Sequence, residues 1–218
     1  MSCCCPHSKS AGKFFSFFAK SYRRRFLKKG FEPSQQQLFD GITKAGFKDK
    51  TLLEIGCGVG HFHQTLLEHG ALLSIGIELA EQMLVEAKDW ARQRNLSEKT
   101  TYIEGDFIDI ANTIKPVDIV IMDKVVCCYP DADALIHRSL EMCIDTIALT
   151  YPRNKWYTQI GVQFMALIMK LLGSSFRPYV HDPIQIERWI GNQDFKKLYE
   201  KQTFVWLTQV YQKDKVIK

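Results

Sequence analysis

The sequence predicts an α/β domain, a doubly wound and mostly parallel sheet preceded by an N-terminal helical extension. Two observations carry this prediction. From residue 51 onward, short apolar runs alternate with amphipathic stretches of helical length, the pattern of successive βαβ units. Directly after the first apolar run, Gly56, Gly58 and Gly60 are spaced by two, which marks a tight strand-to-helix turn. The chain has 218 residues, 46% hydrophobic and 24% charged, enough for one such domain with a sizeable core.

The elements follow in order. Residues 1–12 have loop composition and read as a disordered, Cys-rich tail. Phe14, Phe18, Tyr22 and Phe26 recur every fourth position, with Phe15 and Ala19 widening the stripe, so a helix is expected up to Gly30. Lys28 and Lys29 suit its C-terminus. A second helix is expected over Pro33–Ala45, stopped by Gly46. Residues 1–46 thus form the extension, and 47–218 the main domain, with strands expected at 51–55, 71–77, 101–104, 117–122 and 146–151. Helices are expected at 61–68, 80–94, 131–143 and 183–190, and a last edge strand at 203–211. The apolar segment 156–172 is interrupted by Gln159, Gln163 and Lys170, so it is expected as a buried or substrate-covering helix rather than a membrane span.

Charge and cysteine usage narrow the function classes. The net charge is +5, with Lys20, Arg23, Arg24, Arg25, Lys28 and Lys29 close together. Such a face is a solvated surface, an anionic-substrate site or a site of peripheral membrane contact through residues 13–29. Nucleic acid is not expected as a partner, because no RNA-binding signature or zinc-finger spacing is present. Several of the seven cysteines are directly adjacent (Cys3-Cys4-Cys5 and Cys127-Cys128), unlike a secreted disulfide framework. With no secretory signal, a reducing, cytoplasmic setting is expected. No metal site is expected.

The most informative stretch is LLEIGCGVGHF, residues 52–62. Glycines there let the backbone approach a ligand, and the helix beyond offers unpaired N–H groups. A dinucleotide site would want Gly or Ala at position 61, beside a pyrophosphate. This chain has His61, and it has Glu54 at the strand end. A carboxylate would repel pyrophosphate and attract the ammonium group of a methionine moiety, so S-adenosylmethionine (SAM) is favoured over NAD. Glu78 follows the second strand 22 residues after Gly56, where an acid binds ribose hydroxyls. Asp106 and Phe107 follow the third strand and suit an adenine, and Asp106 would equally suit a helix N-cap. Asp123, Lys124 and Val125 end the fourth strand, outside whose carboxyl end ligands of open sheets bind.

Together these motifs resemble the class I SAM-dependent methyltransferases, over roughly residues 48–151 and most specifically over 52–60. The stretches VDIVIMDKVVCCYPD (117–131) and ALTYPRNKWY (148–157) are similar to magnesium-protoporphyrin-type O-methyltransferases and their uncharacterised bacterial relatives. The resemblance implies a Rossmann-like seven-stranded sheet. It also implies cofactor contacts at Glu54, Gly56, Cys57, Gly58, Gly60, Glu78, Leu79, Asp106, Phe107, Asp123 and Lys124, with the N-terminal helices around Tyr22 folding over the cofactor.

Methyl transfer from a sulfonium is an in-line displacement in which the protein supplies positioning. A small amphipathic or anionic acceptor, methylated on oxygen, is the favoured substrate. Tyr129, His181 and Arg153 are the candidates for acceptor orientation or proton transfer. Two alternatives stay open. One is a thiol- or metalloid-methylating enzyme that uses the cysteine clusters. The other is a non-catalytic SAM-binding or membrane-associated regulator.

Overall fold

The computed structural model describes Gly12, Ser16 and residues 19–171 and 173–214. Two helices lead, α1 (Ala19–Lys29) and α2 (Pro33–Ala45). The alternating part then runs β1 (Thr51–Ile55), α3 (His61–Glu68), β2 (Leu73–Glu78), α4 (Glu81–Gln93), β3 (Thr100–Glu104), α5 (Phe107–Ile110) and β4 (Val117–Asp123). It continues through α6 (Ala132–Glu141), β5 (Cys143–Pro152), α7 (Trp156–Leu171), α8 (Pro183–Gly191), β6 (Phe195–Gln202) and β7 (Trp206–Lys213). The seven strands form one sheet in the order β3-β2-β1-β4-β5-β7-β6. The first five are parallel, while β7 runs antiparallel to both β5 and β6.

The two-residue period of the strands divides the core. Leu53, Ile55, Val120, Met122, Ile147 and Leu149 face one layer with Leu135 and Ile136 of α6 and Ile186 and Ile190 of α8. Leu52, Ile119, Ile121 and Ala148 face the other, against Leu38 and Ile42 of α2 and Phe62 and Leu66 of α3. Strands covered on both faces read as near-continuous apolar runs, and for that reason β1 and β4 stand out in the sequence.

Helix α1 is tied to α4 by Arg23, which pairs with Glu86 at 3.0 Å and Asp89 at 2.8 Å and lies over the Trp90 ring. Its cation-rich last turn faces the C-terminal dipole as expected. The expected start of this helix around Phe14, Phe15 and Phe18, the Cys3–Cys5 cluster and most of the 13–18 segment lie outside the described residues.

Two expectations need correction. The last strand, β7, is not at the edge: it is inserted between β5 and β6, and its centre is buried on both faces. The edge is β6, FKKLYEKQ, whose solvent-facing lysines and one glutamate hide its strand character in the sequence. Helix α7 is also not buried. Only Thr158 and Met169 are covered, and Trp156 and Leu171 are 73% and 78% exposed, because the helix meets the domain along a narrow line. No described helix is long and apolar enough to cross a membrane.

Candidate active site

Strand β1 ends in a turn whose three glycines all have positive φ: 67° at Gly56, 54° at Gly58 and 74° at Gly60. A Cβ at Gly56 would sit 2.5 Å from Val125 Cγ2, whereas one at Gly58 would meet nothing within 4 Å. The turn therefore leaves open space over Gly58, the cradle a closely approaching ligand needs.

That space belongs to a cavity of ≈ 380 Å³ beyond the carboxyl ends of β1, β2 and β4. Its wall includes Glu54, Gly56, Cys57, Gly58, Glu78, Leu79, Phe107, Asp123, Lys124, Tyr129 and, from α1, Tyr22. The structure thus gathers most of the sequence-predicted residues at one place. Gly60, Asp106, His181 and Arg153 do not line it.

The carboxylates are held in different ways. Glu78 accepts from three backbone N–H groups, Gly58 at 2.9 Å, Leu79 at 2.8 Å and Ala80 at 2.9 Å. It therefore ties β2 to the glycine turn while keeping a face to the cavity. Glu54 accepts from the backbone and ring of His63, both on Oε2, which leaves Oε1 for the cavity side. Asp123 Oδ2 accepts from Gln35 Nε2 at 2.8 Å. Burial raises the proton affinity of all three acids, opposed by these hydrogen bonds and, at Asp123, first by Lys124.

Sequence reading missed the contribution of α2. Gln35 accepts from the Glu32 backbone N–H through Oε1, which fixes its amide so that Nε2 donates to Asp123 and to His61 Nε2 at 2.9 Å. His61 then carries its proton on Nδ1, and burial lowers its pKa to about 3, so it stays neutral. Among the described residues, His61 Nδ1 and Asp123 Oδ1 are buried with no hydrogen-bond partner, a donor and an acceptor on residues of the cavity wall. The signal in the sequence is the Glu32-x-x-Gln35 spacing, which reads only as a capping box. Arg25, Phe26, Glu32, Met83 and Trp206 complete the wall, with Lys124 Nζ 2.5 Å from Glu32 and 5.2 Å from the Trp206 ring centre.

The other candidates are engaged elsewhere. Asp106 caps α5 through Ile108 N and accepts from the Tyr129 hydroxyl at 2.7 Å. Burial raises the Tyr129 phenol well above its ordinary proton affinity, so it stays protonated. His181 bonds the Tyr129 backbone carbonyl at 2.9 Å, and burial lowers its pKa. Arg153 is drawn away by the β6–β7 turn, where it donates to the carbonyls of Thr203 and Phe204.

Comparison with known proteins agrees with this geometry. Residues 52–143 match the family model of a methyltransferase domain. Fold, glycine turn and this match, which spans under half of the chain, are those of class I SAM-dependent methyltransferases. The chain is 24% identical over 149 residues to a ubiquinone biosynthesis O-methyltransferase of Coxiella burnetii, covering 65% of this chain and 62% of that one. It is 32% identical over 77 residues to protein arginine N-methyltransferase 1 of Saccharomyces cerevisiae, covering 35% and 22%. The chain thus spans less than two thirds of the length of either relative. In fold it is similar to magnesium protoporphyrin IX methyltransferase from Synechocystis, seen with bound S-adenosylhomocysteine (SAH), with a TM-score of 0.70, 19% identity and coverage of 94% and 98%.

Proposed function

We propose that this chain transfers a methyl group from SAM to an oxygen of a small, anionic or amphipathic acceptor. The observation that carries this reading is the cavity itself, a glycine cradle ringed by Glu54, Glu78 and Asp123 at adjacent strand ends. In this reading Glu54 faces the ammonium group, Glu78 the ribose hydroxyls, and Leu79, Gly105 and Phe107 the adenine. Gly56, Cys57 and Gly58 lie along the amino-acid end, and Asp123 and Lys124 flank the reacting centre. Gly60 supports the turn, Asp106 holds Tyr129 against the adenine side, and the described part of the 1–46 extension, through Tyr22 and Phe26, closes the cavity over the cofactor. When bound, SAM supplies an electrophilic methyl on a sulfonium.

The side chains on the wall favour an acceptor that is already ionised. Tyr129 is a locked phenol, and His61 has its basic nitrogen occupied by Gln35. A carboxylate acceptor needs no base. Arg25 and Lys124 share the single carboxylate of Glu32 and so leave the acceptor a net positive charge, and the Trp206 ring offers it a flat apolar face. The thiols favour metalloid methylation less, because the hydrogen bond with Cys127, together with burial, pushes the Cys128 thiol well up and keeps it protonated.

The test is purified protein with SAM and a panel of carboxylates, phenols, thiols and arsenite, reading SAH release and product mass. Turnover with an aromatic or amphipathic carboxylate is the expected result. Absence of SAM binding by calorimetry would overturn the reading.

A further inference from the structure

Beneath the glycine turn lies a chain of side chains that cofactor binding as described does not use. Gln64 Nε2, buried on α3, is 2.9 Å from the Ala87 carbonyl oxygen and 2.7 Å from the Tyr102 hydroxyl. The Tyr102 hydroxyl is 3.0 Å from His63 Nε2. His63 is fully buried, with Nδ1 2.6 Å from Glu54 Oε2.

The direction of every bond follows from one atom. A carbonyl oxygen only accepts, so the Gln64 atom facing Ala87 is the NH₂ group. That group donates to the Tyr102 oxygen, which leaves the single hydroxyl proton for His63 Nε2. Nε2 accepts, so the neutral ring carries its proton on Nδ1 and donates it to Glu54. An imidazolium would aim a second N–H at the same hydroxyl oxygen and deprive the phenol proton of its acceptor. Burial raises the proton affinity of Tyr102, which keeps it a donor.

We propose that Gln64, Tyr102 and His63 form a directional hydrogen-bond relay that holds Glu54 as an oriented carboxylate, its Oε1 turned to the primary ammonium group of the bound ligand. The ligand in this inference rests on the SAM reading above; the relay's polarity does not. His63 is a positioning residue, acting only through Glu54. Gly60 belongs to the same device. A Cβ there would lie 2.9 Å from both Gln64 Nε2 and the Tyr102 hydroxyl, and 3.1 Å from His63 Cε1. The third glycine therefore lets the relay pack against the turn.

The ionisable groups facing Glu54 are His63 from α3, Asp123 from β4, Glu78 from β2, Tyr102 from β3 and Cys57 from the turn. Burial and Asp123 raise its proton affinity, and the bonds from His63 pull it back. Attraction for an ammonium group is present above the Glu54 pKa and lost as pH falls through it. Without His63 that acid limb moves to higher pH.

Two measurements test the inference. In ligand-free protein labelled with 15N-histidine, NMR should show the His63 ring as the Nδ1–H tautomer, assigned by its loss in His63→Asn and disturbed in Tyr102→Phe. SAM affinity by calorimetry across about pH 5 to 8 should be roughly tenfold weaker in His63→Leu, with its acid limb displaced upward. His63→Asn, whose amide nitrogen can stand where Nδ1 stands, should restore most of the affinity, and Tyr102→Phe should displace the limb by less. If His63→Leu does not fold, the last two variants carry the test. An Nε2–H tautomer or an imidazolium at neutral pH overturns the relay. An acid limb identical in all variants overturns the positioning role. Wild-type protein that ignores SAM while showing the Nδ1–H tautomer overturns the cofactor reading and the role of Glu54 in it, but leaves the relay's polarity standing.

Discussion

Replacing Glu78 by alanine should cost both stability and affinity, and the structure separates the two losses. The carboxylate accepts the N–H groups of Gly58, Leu79 and Ala80 at 2.8–2.9 Å. Each bond to a charged acceptor is worth about 1.5–3 kcal/mol, and each buried donor left unpaired costs a similar amount. Against this stands the cost of burying the carboxylate, which its raised proton affinity registers. Water entering from the cavity would also re-pair part of the loss. A net destabilisation of about 3 kcal/mol is expected, which for a domain of this size lowers Tm by about 6–12 °C. Glu78→Gln keeps one carbonyl oxygen for Leu79 and Ala80 but turns an NH₂ group toward Gly58 N–H, so it should fall between. In calorimetry, Glu78→Ala should bind SAM and SAH about 10- to 100-fold more weakly, and equally so, because both carry the ribose. A Tm within about 2 °C of wild type would refute the structural part. A loss confined to SAM would show that Glu78 senses the sulfonium charge rather than the sugar.

Two further outcomes follow from the same geometry. Burial raises the proton affinity of Asp123, so the folded chain keeps a proton that the unfolded chain releases. The stability contributed by this group is present below the ordinary carboxylate value of about 4 and lost as pH rises through the raised one. Asp123→Asn should therefore raise the urea midpoint of ligand-free protein at about pH 8, with the gap closing in acid; a gap that widens in acid would contradict the burial argument. Gly56→Ala places a methyl 2.5 Å from Val125 Cγ2 at a φ of 67°. Left-handed backbone alone costs about 1–2 kcal/mol, and the contact adds to it. Val125→Ala in the same chain should recover the contact part and leave the backbone part, a coupling that a double-mutant cycle of urea midpoints reads directly.

What the sequence made legible was whatever is set locally. The strand β1, its glycines and helix α3 lie within 18 residues, and the apolar run, the positive φ positions and the helix start are read from neighbours in sequence. Glu78 and Asp123 were legible for the same reason, as acids at the ends of apolar strands. The relay was not, because Tyr102 reaches His63 and Gln64 across 39 and 38 residues and only through the β2–β3 pairing that puts Tyr102 opposite Gly76. Asp106 shows a different limit. An acid after a strand caps a helix or faces a ligand with the same sequence signature, and here the cap and the Tyr129 hydroxyl hold it. The place of Arg153 is not legible for another reason: its partners are backbone carbonyls, which carry no sequence signature. For α7, apolar composition suits a buried or a substrate-covering helix alike, and Trp156, Ile160, Phe164, Leu167 and Leu171 fall on the exposed stripe opposite Thr158 and Met169.

The charge inside the cavity bears most directly on what can enter it. Glu54, Glu78 and Asp123 stand at the ends of three adjacent strands, and Glu54 raises the proton affinity of Glu78 as Asp123 raises that of Glu54. Lys124 offsets part of this, but its Nζ is shared with Glu32. A ligand-free cavity arranged in this way is electrostatically costly, since like charges meet where little water can screen them. A pyrophosphate would add further negative charge to the same place. A nucleoside bearing an ammonium group and a sulfonium relieves the repulsion on entry, so the penalty carried by the empty site becomes affinity for a cation. His61 works in the same direction. It stands where a dinucleotide site needs a small residue, its ring packs 4.7 Å from Phe26 of α1, and Gln35 keeps it neutral. Position 61 therefore joins the N-terminal helices to the turn and narrows the room a second nucleotide would need.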